Sequence, residues 1–359
     1  MIDFIIYDKG LNALGMIDTQ SSVLWERRYY EAGYFEIHVP PNANNNDLIS
    51  IGNYIMRTDA RESGVIQYIY KNTDMYGVSD ITVIGRFCSY LLHGHIVRSA
   101  GTLSGNVETI MRQLVSNTCM TPGTADYING LELGNLCGTT KTISIFIEYP
   151  DLHDILKEIS RRSGVACRVY LNPETEALQF SCYEGADKSA GQSSNSRVIF
   201  SSDYDTIVGE VSSSQNDNTT VNAVTMLYSG EFGRLAVRYA PANVSGVDLH
   251  EITVITDKCE TTTTQGGAKV LDINGTTALL LNMAPQYISA REKKVSASVS
   301  GSGSYEYKVD YDIGDIVTIE HKPYTISETK RIHKISESYS DYGVEIIPEF
   351  GDISPKELN

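Results

Sequence analysis

His93, Gly94 and His95, with Cys88 just upstream, are the side chains best suited to hold a metal. Imidazole and thiolate are preferred zinc ligands, but a structural zinc site needs four of them at short spacings. No fourth ligand follows at such a spacing, and His-Gly-His closing a strand run reads as a turn. Carboxylates come next, because a pair held in different environments can act as acid and base. Asp310, Asp312 and Asp315 crowd into Val309-Asp310-Tyr311-Asp312-Ile313-Gly314-Asp315-Ile316-Val317. They flank a glycine between strand segments, where aspartates commonly cap backbone amides in a turn. Glu148, Asp151 and Asp154 surround a helix start and read as a cap and solvated positions. Gly301-Ser302-Gly303-Ser304 lacks the lysine and the following helix of a phosphate cradle. No HExxH, GxSxG, Walker or GxGxxG pattern occurs. Catalytic, cofactor-binding and metal residues are therefore all read as none, and the chain is expected not to be an enzyme.

The elements around these residues are mostly strands. Phe4 to Tyr7, Val23 to Tyr30, Tyr34 to Val39, Tyr54 to Arg57, Gly64 to Tyr70 and Asp80 to Gly85 carry β-branched and aromatic residues between turn signals. Phe35, Ile37 and Val39 alternate with Glu36 and His38, the period of a half-buried strand. From Ser104 to Asn117 the period changes: Val107, Ile110, Met111, Leu114 and Val115 line one face of a helix. A second helix is expected from Asp151 to Ser163, with Asp151 as N-cap, Arg161 and Arg162 near the C-terminal dipole, and Gly164 as the stop. Ala166 to Leu171 and Ala177 to Tyr183 follow as strands. Gly185 to Ser196 and Ser212 to Thr220 read as polar loops, and Val198 to Ser201 as a short strand. Val221 to Tyr228 with Arg234 to Tyr239 reads as a hairpin, and Gly266 to Ala284 as helical. Lys294 to Val299, Tyr305 to Tyr311, Ile316 to Glu320, Thr325 to Ser336 and Gly343 to Ile347 return to strands.

Composition narrows the class. The chain has 359 residues, of which 41% are hydrophobic, enough for several cores. No run approaches 18 apolar residues, which excludes a membrane-spanning helix and stable membrane insertion by that route. The N-terminal residues show no basic stretch ahead of an apolar run, so no signal peptide is read. A net charge of −16 argues against a surface that grips phosphate. The six cysteines, Cys88, Cys119, Cys137, Cys167, Cys182 and Cys259, include no CxxC pair and read as small buried hydrophobes in a reducing compartment. The 23 tyrosines suit large protein interfaces, where an aromatic ring buries area and keeps a polar tip.

Four stretches carry a resemblance. Leu24-Trp25-Glu26-Arg27-Arg28-Tyr29-Tyr30-Glu31-Ala32-Gly33-Tyr34-Phe35-Glu36-Ile37-His38-Val39-Pro40 resembles the opening of a family of tail proteins from tailed bacteriophages. Val309 to Val317 is similar to the family's second signature. Ile84-Gly85-Arg86-Phe87 to Leu92, and Tyr183-Glu184-Gly185-Ala186-Asp187 to Ser201, are similar to further family segments in the same order. The family is that of the siphophage tail-associated or baseplate hub proteins.

The resemblance implies an α+β, β-dominated fold: two tail-tube-like antiparallel β-barrels with a peripheral α/β domain and a helical insertion. The expected boundaries are residues 1–100 for the first barrel and 101–205 for the α/β domain. The second barrel takes 206–359, with the insertion at about 255–292. It implies a structural tail-tip hub, a homotrimeric ring joining a sixfold tail tube to a threefold tip around the DNA channel. Expected partners are further copies of the chain, distal tail and tail tube proteins, and tail-tip fibre, spike or lysin proteins, with DNA only in transit. The location is the virion tail tip, after assembly in the bacterial host cytoplasm. A negative lumen would repel DNA and keep it from sticking. Long relatives carry a wall-cleaving domain after the hub; here the chain ends at Asp352 to Asn359, so a bare hub is expected. Two other functions are weighed: a receptor- or glycan-binding tail module, which a tyrosine-rich β protein could be, and a cell-wall hydrolase with its site in the middle domain.

Overall fold

The structure is a computed structural model and describes residues 2–201, 203, 211–216, 220–289, 292–297 and 305–351. Gly301 to Ser304 and Asp352 to Asn359 lie outside the described residues.

The first hundred residues form antiparallel strands whose alternation drives the pairing. These are β1 (Phe4–Tyr7), β2 (Ala13–Ile17), β3 (Ser22–Arg28), β4 (Tyr34–Val39), β5 (Tyr54–Arg57), β6 (Ser63–Thr73) and β7 (Ser79–Phe87), with α1 (Ala43–Leu48) between β4 and β5. Asp8 makes the first turn, its Oδ1 accepting from Gly10 N at 2.8 Å and Asn12 N at 2.9 Å. Helix α1 follows the prolines of residues 40–41, where Asn42 caps Asn45 N at 2.7 Å. In β3 and β4 every second residue is buried, and Trp25 pairs across to Phe35. Trp25 lies at the centre of this core, its ring 5.6 Å from Phe35 and 4.7 Å from Phe87.

A 3-10 turn, Cys88–Leu92, leads into the middle region: β8 (Ala100–Asn106), α2 (Val107–Cys119), β9 (Leu131–Leu133), β10 (Thr142–Glu148), α3 (Leu152–Ser163), β11 (Ala166–Asn172) and β12 (Ala177–Tyr183). β8 pairs with β10, and β12 lies between β11 and β9. Asn106 caps α2 and Asp151 caps α3; Gly164 ends α3 in the left-handed region at φ 72. The apolar stripes Ile110, Met111, Leu114, Val115 and Leu152, Ile155, Leu156, Ile159 are buried. Their core is continuous with Tyr7, Leu11, Tyr54 and Met56 of the first sheet.

The rest of the chain contains β13 (Ile199–Ser201), β14 (Val211–Asn216), β15 (Ala223–Gly230), β16 (Gly233–Tyr239), β17 (Glu251–Thr256), β18 (Thr261–Thr263), β19 (Lys269–Leu271) and α4 (Ile273–Met283). It closes with β20 (Glu292–Ala297), β21 (Ile316–His321), β22 (Ile326–Ser340) and β23 (Gly343–Gly351). β15 is central to a three-stranded sheet, antiparallel to β16 and parallel to β17. Val224, Met226 and Tyr228 pack there against Leu280 and Met283 of α4.

The strands of the last fifty residues return to the beginning. β22 pairs with β23 and β21, and also with β3 from Tyr339↔Val23 to Lys334↔Arg28. Both ends of the chain thus share one 13-stranded sheet, in the order β14-β20-β23-β22-β3-β4-β7-β6-β5-β1-β2, with β21 and β13 branching from β22. Among the described residues this order has two ends and closes no cylinder.

Three readings need correction. Residues 305–311 are a turn and an isolated bridge, because Asp310 Oδ2 takes Glu306 N at 2.7 Å and Lys308 sits at φ 69. Ser212 to Asn216, expected as loop, belongs to strand β14: ladder bonds come from the backbone, and serines permit them; residues 217–219 lie outside the described residues. Helix α4 begins only at Ile273, where Asp272 caps Gly275 N at 3.0 Å. All six cysteines are free; Cys88, Cys119 and Cys182 are buried, while Cys137 is exposed. No helix among the described residues is long and apolar enough to cross a membrane.

Candidate functional site: the seam between the two ends of the chain

Of the side chains singled out for chemistry, His93, Asp151 and Asp154 come together at the start of α3, and the others are dispersed. Cys88 Sγ is buried 3.4 Å from Ser63 Oγ, and burial pushes its thiol up to about 12. His95 turns to Asp126 at 3.2 Å, while His93 faces Asp151 at 3.4 Å. Asp312 Oδ1 accepts from Ile313 N at 2.7 Å, and Asp315 accepts from Asp312 N at 3.0 Å and Ala186 N at 2.8 Å. Glu148 pairs with Lys258, and Asp151 accepts from Asp154 N at 3.2 Å. These carboxylates are turn, cap and ion-pair groups.

Three of the stretches that carry the resemblance meet at one place, and the fourth packs beside it. Tyr29, just past β3, is fully buried and donates its hydroxyl to Gly164 O at 2.8 Å while accepting from Gly185 N at 3.2 Å. Its ring meets Tyr183 edge-on at 5.4 Å and lies 4.8 Å from the Arg331 guanidinium. Gly314 packs against that ring at φ +91, and a Cβ there would fall inside 3.0 Å of it. A Cβ at Gly185 would likewise fall inside 3.0 Å of the Gly314–Asp315 backbone. Gly314 N donates to Ile332 O and Ile332 N to Asp315 O, both at 2.8 Å, so the turn is stitched to β22. Beside the seam, a Cβ at Gly85 would overlap the ring of Phe35.

A buried ionic network runs along the same seam. Arg27 on β3 binds Glu62 at 2.7 Å, Asp312, and Tyr307 Oη at 2.7 Å. Tyr307 donates to Glu337 at 2.9 Å, and Glu337 accepts from Arg57 at 2.8 Å. Arg57 also forks onto Asp59, at 2.8 and 2.7 Å, and lies 5.2 Å from the ring of Trp25. Arg168 adds a contact to Glu62 at 3.5 Å and stacks 4.3 Å from the Tyr183 ring. Burial alone would raise the Glu62 carboxyl, but Arg27 and Arg168 outweigh it and hold Glu62 down at about 2. Glu62, Arg57, Glu337 and Arg168 were not singled out from the sequence. A parity signal exists for two members of the network: Arg27 follows Val23 and Trp25, and Glu337 follows Ile335, on the inward face of a strand; Glu62, Arg57 and Arg168 carry no such signal.

Two hairpins project apolar side chains. The tip joining β6 to β7 exposes Met75 and Tyr76, with Tyr68, Tyr70 and Val78 behind them; the tip joining β22 to β23 exposes Tyr342 and Val344.

A family described as Siphovirus ReqiPepy6 Gp37-like protein matches residues 3–352. The chain belongs to that family. No curated protein matches it. Its fold is shared with solved phage tail proteins along nearly their whole length. A tail protein from Neisseria meningitidis MC58 is 12% identical with TM-score 0.59, covering 99% of this chain and 98% of that one. The 43 kDa tail protein of prophage MuSo2 from Shewanella oneidensis is 13% identical with TM-score 0.55, covering 98% of both. Prophage tail protein gp18 from Listeria monocytogenes EGD-e is 14% identical with TM-score 0.51, covering 97% and 94%. The chain thus belongs to a siphovirus protein family and has the β-dominated fold of solved phage tail proteins.

Proposed function

We propose that this protein is the structural hub at the tail tip of a phage or phage-tail-like particle. Three copies form a ring that joins the sixfold tail tube to a threefold tip and encloses the DNA channel. The observation that carries this reading is the joining of the two ends of the chain. β22 runs beside β3 and a buried ionic network crosses that junction, so both strand regions form one rigid frame. In the reading proposed here, residues 1–100 and 206–359 supply the two barrel-like units, and residues 101–205 the peripheral α/β domain, with α4 in the insertion. Two related units per copy, three times over, give six positions facing a sixfold tube. A ring also removes free sheet edges, which otherwise template aggregation. The exposed residues of the β6–β7 tip are available to a neighbouring copy. A charge of −16 on each copy accords with a channel wall that repels DNA. The neighbours are then further copies, the distal tail and tube proteins above, and fibre, spike or lysin proteins below.

The test is the native mass, by light scattering, of the chain alone and with its own tail tube protein. Three times 39.6 kDa, in either condition after subtracting the tube protein, supports the hub. A chain that stays monomeric in both conditions overturns it.

A further inference from the structure

His93 has neighbours that its sequence surroundings do not announce. It closes the 3-10 turn Cys88–Leu92 at the end of the first sheet, half-exposed, with Nδ1 3.4 Å from Asp151 Oδ2. His153, in the first turn of α3, brings its ring centroid to 6.1 Å from that of His93, nearly perpendicular. Its Nδ1 lies 3.5 Å from Asp154 Oδ1, and its buried Nε2 has no partner among the described residues. Tyr90 holds both rings, stacked on His93 at 5.0 Å and edge-on to His153 at 5.8 Å. One donor atom from each of His93, Asp151, His153 and Asp154 lies within 4.8 Å of the others.

We propose that His93, His153 and Asp151, with Asp154 beside them, bind a divalent first-row transition-metal ion. The ion clamps the turn that ends the first sheet to the start of α3. Two imidazoles with carboxylates suit zinc, cobalt or nickel, whereas calcium and magnesium require oxygen cages. Ligands of a tetrahedral ion at about 2.1 Å lie roughly 3.4 Å apart, so from separations of up to 4.8 Å the site closes by as much as about 1.4 Å around the ion. The exposed His93 side chain can supply that movement.

The competing account is a capped helix with an ion pair. Asp151 already accepts from Asp154 N at 3.2 Å and Gly94 N at 2.6 Å, and carboxylates are favoured at a helix N-terminus. That account explains both aspartates. It leaves unexplained why two histidines from separate elements converge on them, one with a buried nitrogen unpartnered. The positive end of the helix opposes a cation, and the two carboxylates offset it.

The experiment titrates the untagged, metal-stripped full chain with Co²⁺ and with Zn²⁺, following calorimetry and cobalt visible absorption. The site predicts one equivalent with a tetrahedral cobalt spectrum. His93→Ala and His153→Gln each weaken binding roughly 100-fold, at or beyond the upper end of what outer-shell losses cause. His95→Ala, which removes the neighbour that faces Asp126, leaves binding unchanged. Circular dichroism checks that the variants keep their helices, and His93→Ala, at an exposed turn, serves if His153→Gln does not fold. No binding by the parent chain means an ion pair only and overturns the proposal. So does binding that His95→Ala weakens as much as His93→Ala.

Discussion

Arg57 and Glu337, far apart in sequence, meet at 2.8 Å with neither side chain exposed to solvent. One comes from β5 in the first sheet segment, the other from β22 on the returning end. Two charges withdrawn from water cost more than their attraction returns unless every remaining hydrogen-bonding site is filled. Here Tyr307 and Tyr339 donate to Glu337, at 2.9 and 2.7 Å, and Asp59 takes the rest of the Arg57 fork.

Removing one partner leaves the other charged and buried. Glu337→Ala is expected to destabilise the chain by about 3–5 kcal/mol in urea unfolding, and Arg57→Met to cost a similar amount. The double variant Arg57→Met with Glu337→Leu should lose clearly less than the sum, because no orphaned charge remains. Strict additivity would show that the pair does not join the two ends energetically.

Glycine substitutions separate close packing from backbone conformation. Gly314→Ala combines the positive φ with overlap of the Tyr29 ring, so a loss of about 3 kcal/mol or more, or an insoluble product, is expected. Gly138→Ala meets no atom but keeps φ +76, and should cost about 1 kcal/mol. Gly191→Ala has neither constraint and should stay within about 0.5 kcal/mol of the parent. Thermal melts of the three proteins read the order directly.

Much of this frame is legible in residues, and the junction is not. Helices α2 and α3 announce themselves through apolar stripes and caps, and Asp151 and Gly164 do what their types suggest. Strand β4 follows from its alternating period, and β1, β5 and β12 from short runs of apolar and aromatic residues between turn signals. Strand β10 alternates Ile143, Ile145 and Ile147 inward, so its signal too is present in the sequence. Helix α1 is asparagine-rich and depends on its Asn42 cap and the burial of Leu48, which no periodicity reports. The β22–β3 pairing is invisible locally, because register between distant strands depends on which faces are buried together. Arg27 and Glu337 look like solvated charges by type; only their parity with Trp25 and Ile335 places them inside. His153 joins His93 through tertiary packing, so a search by ligand spacing stops at His95.

Acid should loosen the seam at a defined range. Glu62 in the fold titrates near 2, below the range of an unfolded glutamate near 4.5. The folded form therefore gains stability that is complete above pH 4.5 and is lost as the pH falls toward 2, amounting to about 3 kcal/mol. Glu62→Gln should lower stability at neutral pH and flatten the urea midpoint between pH 4.5 and 2. An unchanged acid limb in the variant would contradict the assignment.

Tyr29→Phe keeps the ring against Gly314 and removes the hydroxyl. Gly164 O and Gly185 N then lose their shared partner, and a loss of about 1–3 kcal/mol is expected. Hydrogen exchange at the Gly185 amide should accelerate with it; a protected amide would show that another acceptor takes over.

The central claim is the place of this chain in the tail, and cryo-electron microscopy of the assembled particle tests it most directly. The account predicts three copies in a closed ring beneath the tube, with Tyr29 and Gly314 packed in each and an open channel on the axis. Density for this chain elsewhere, as a single peripheral copy or as a fibre remote from the channel, would contradict it.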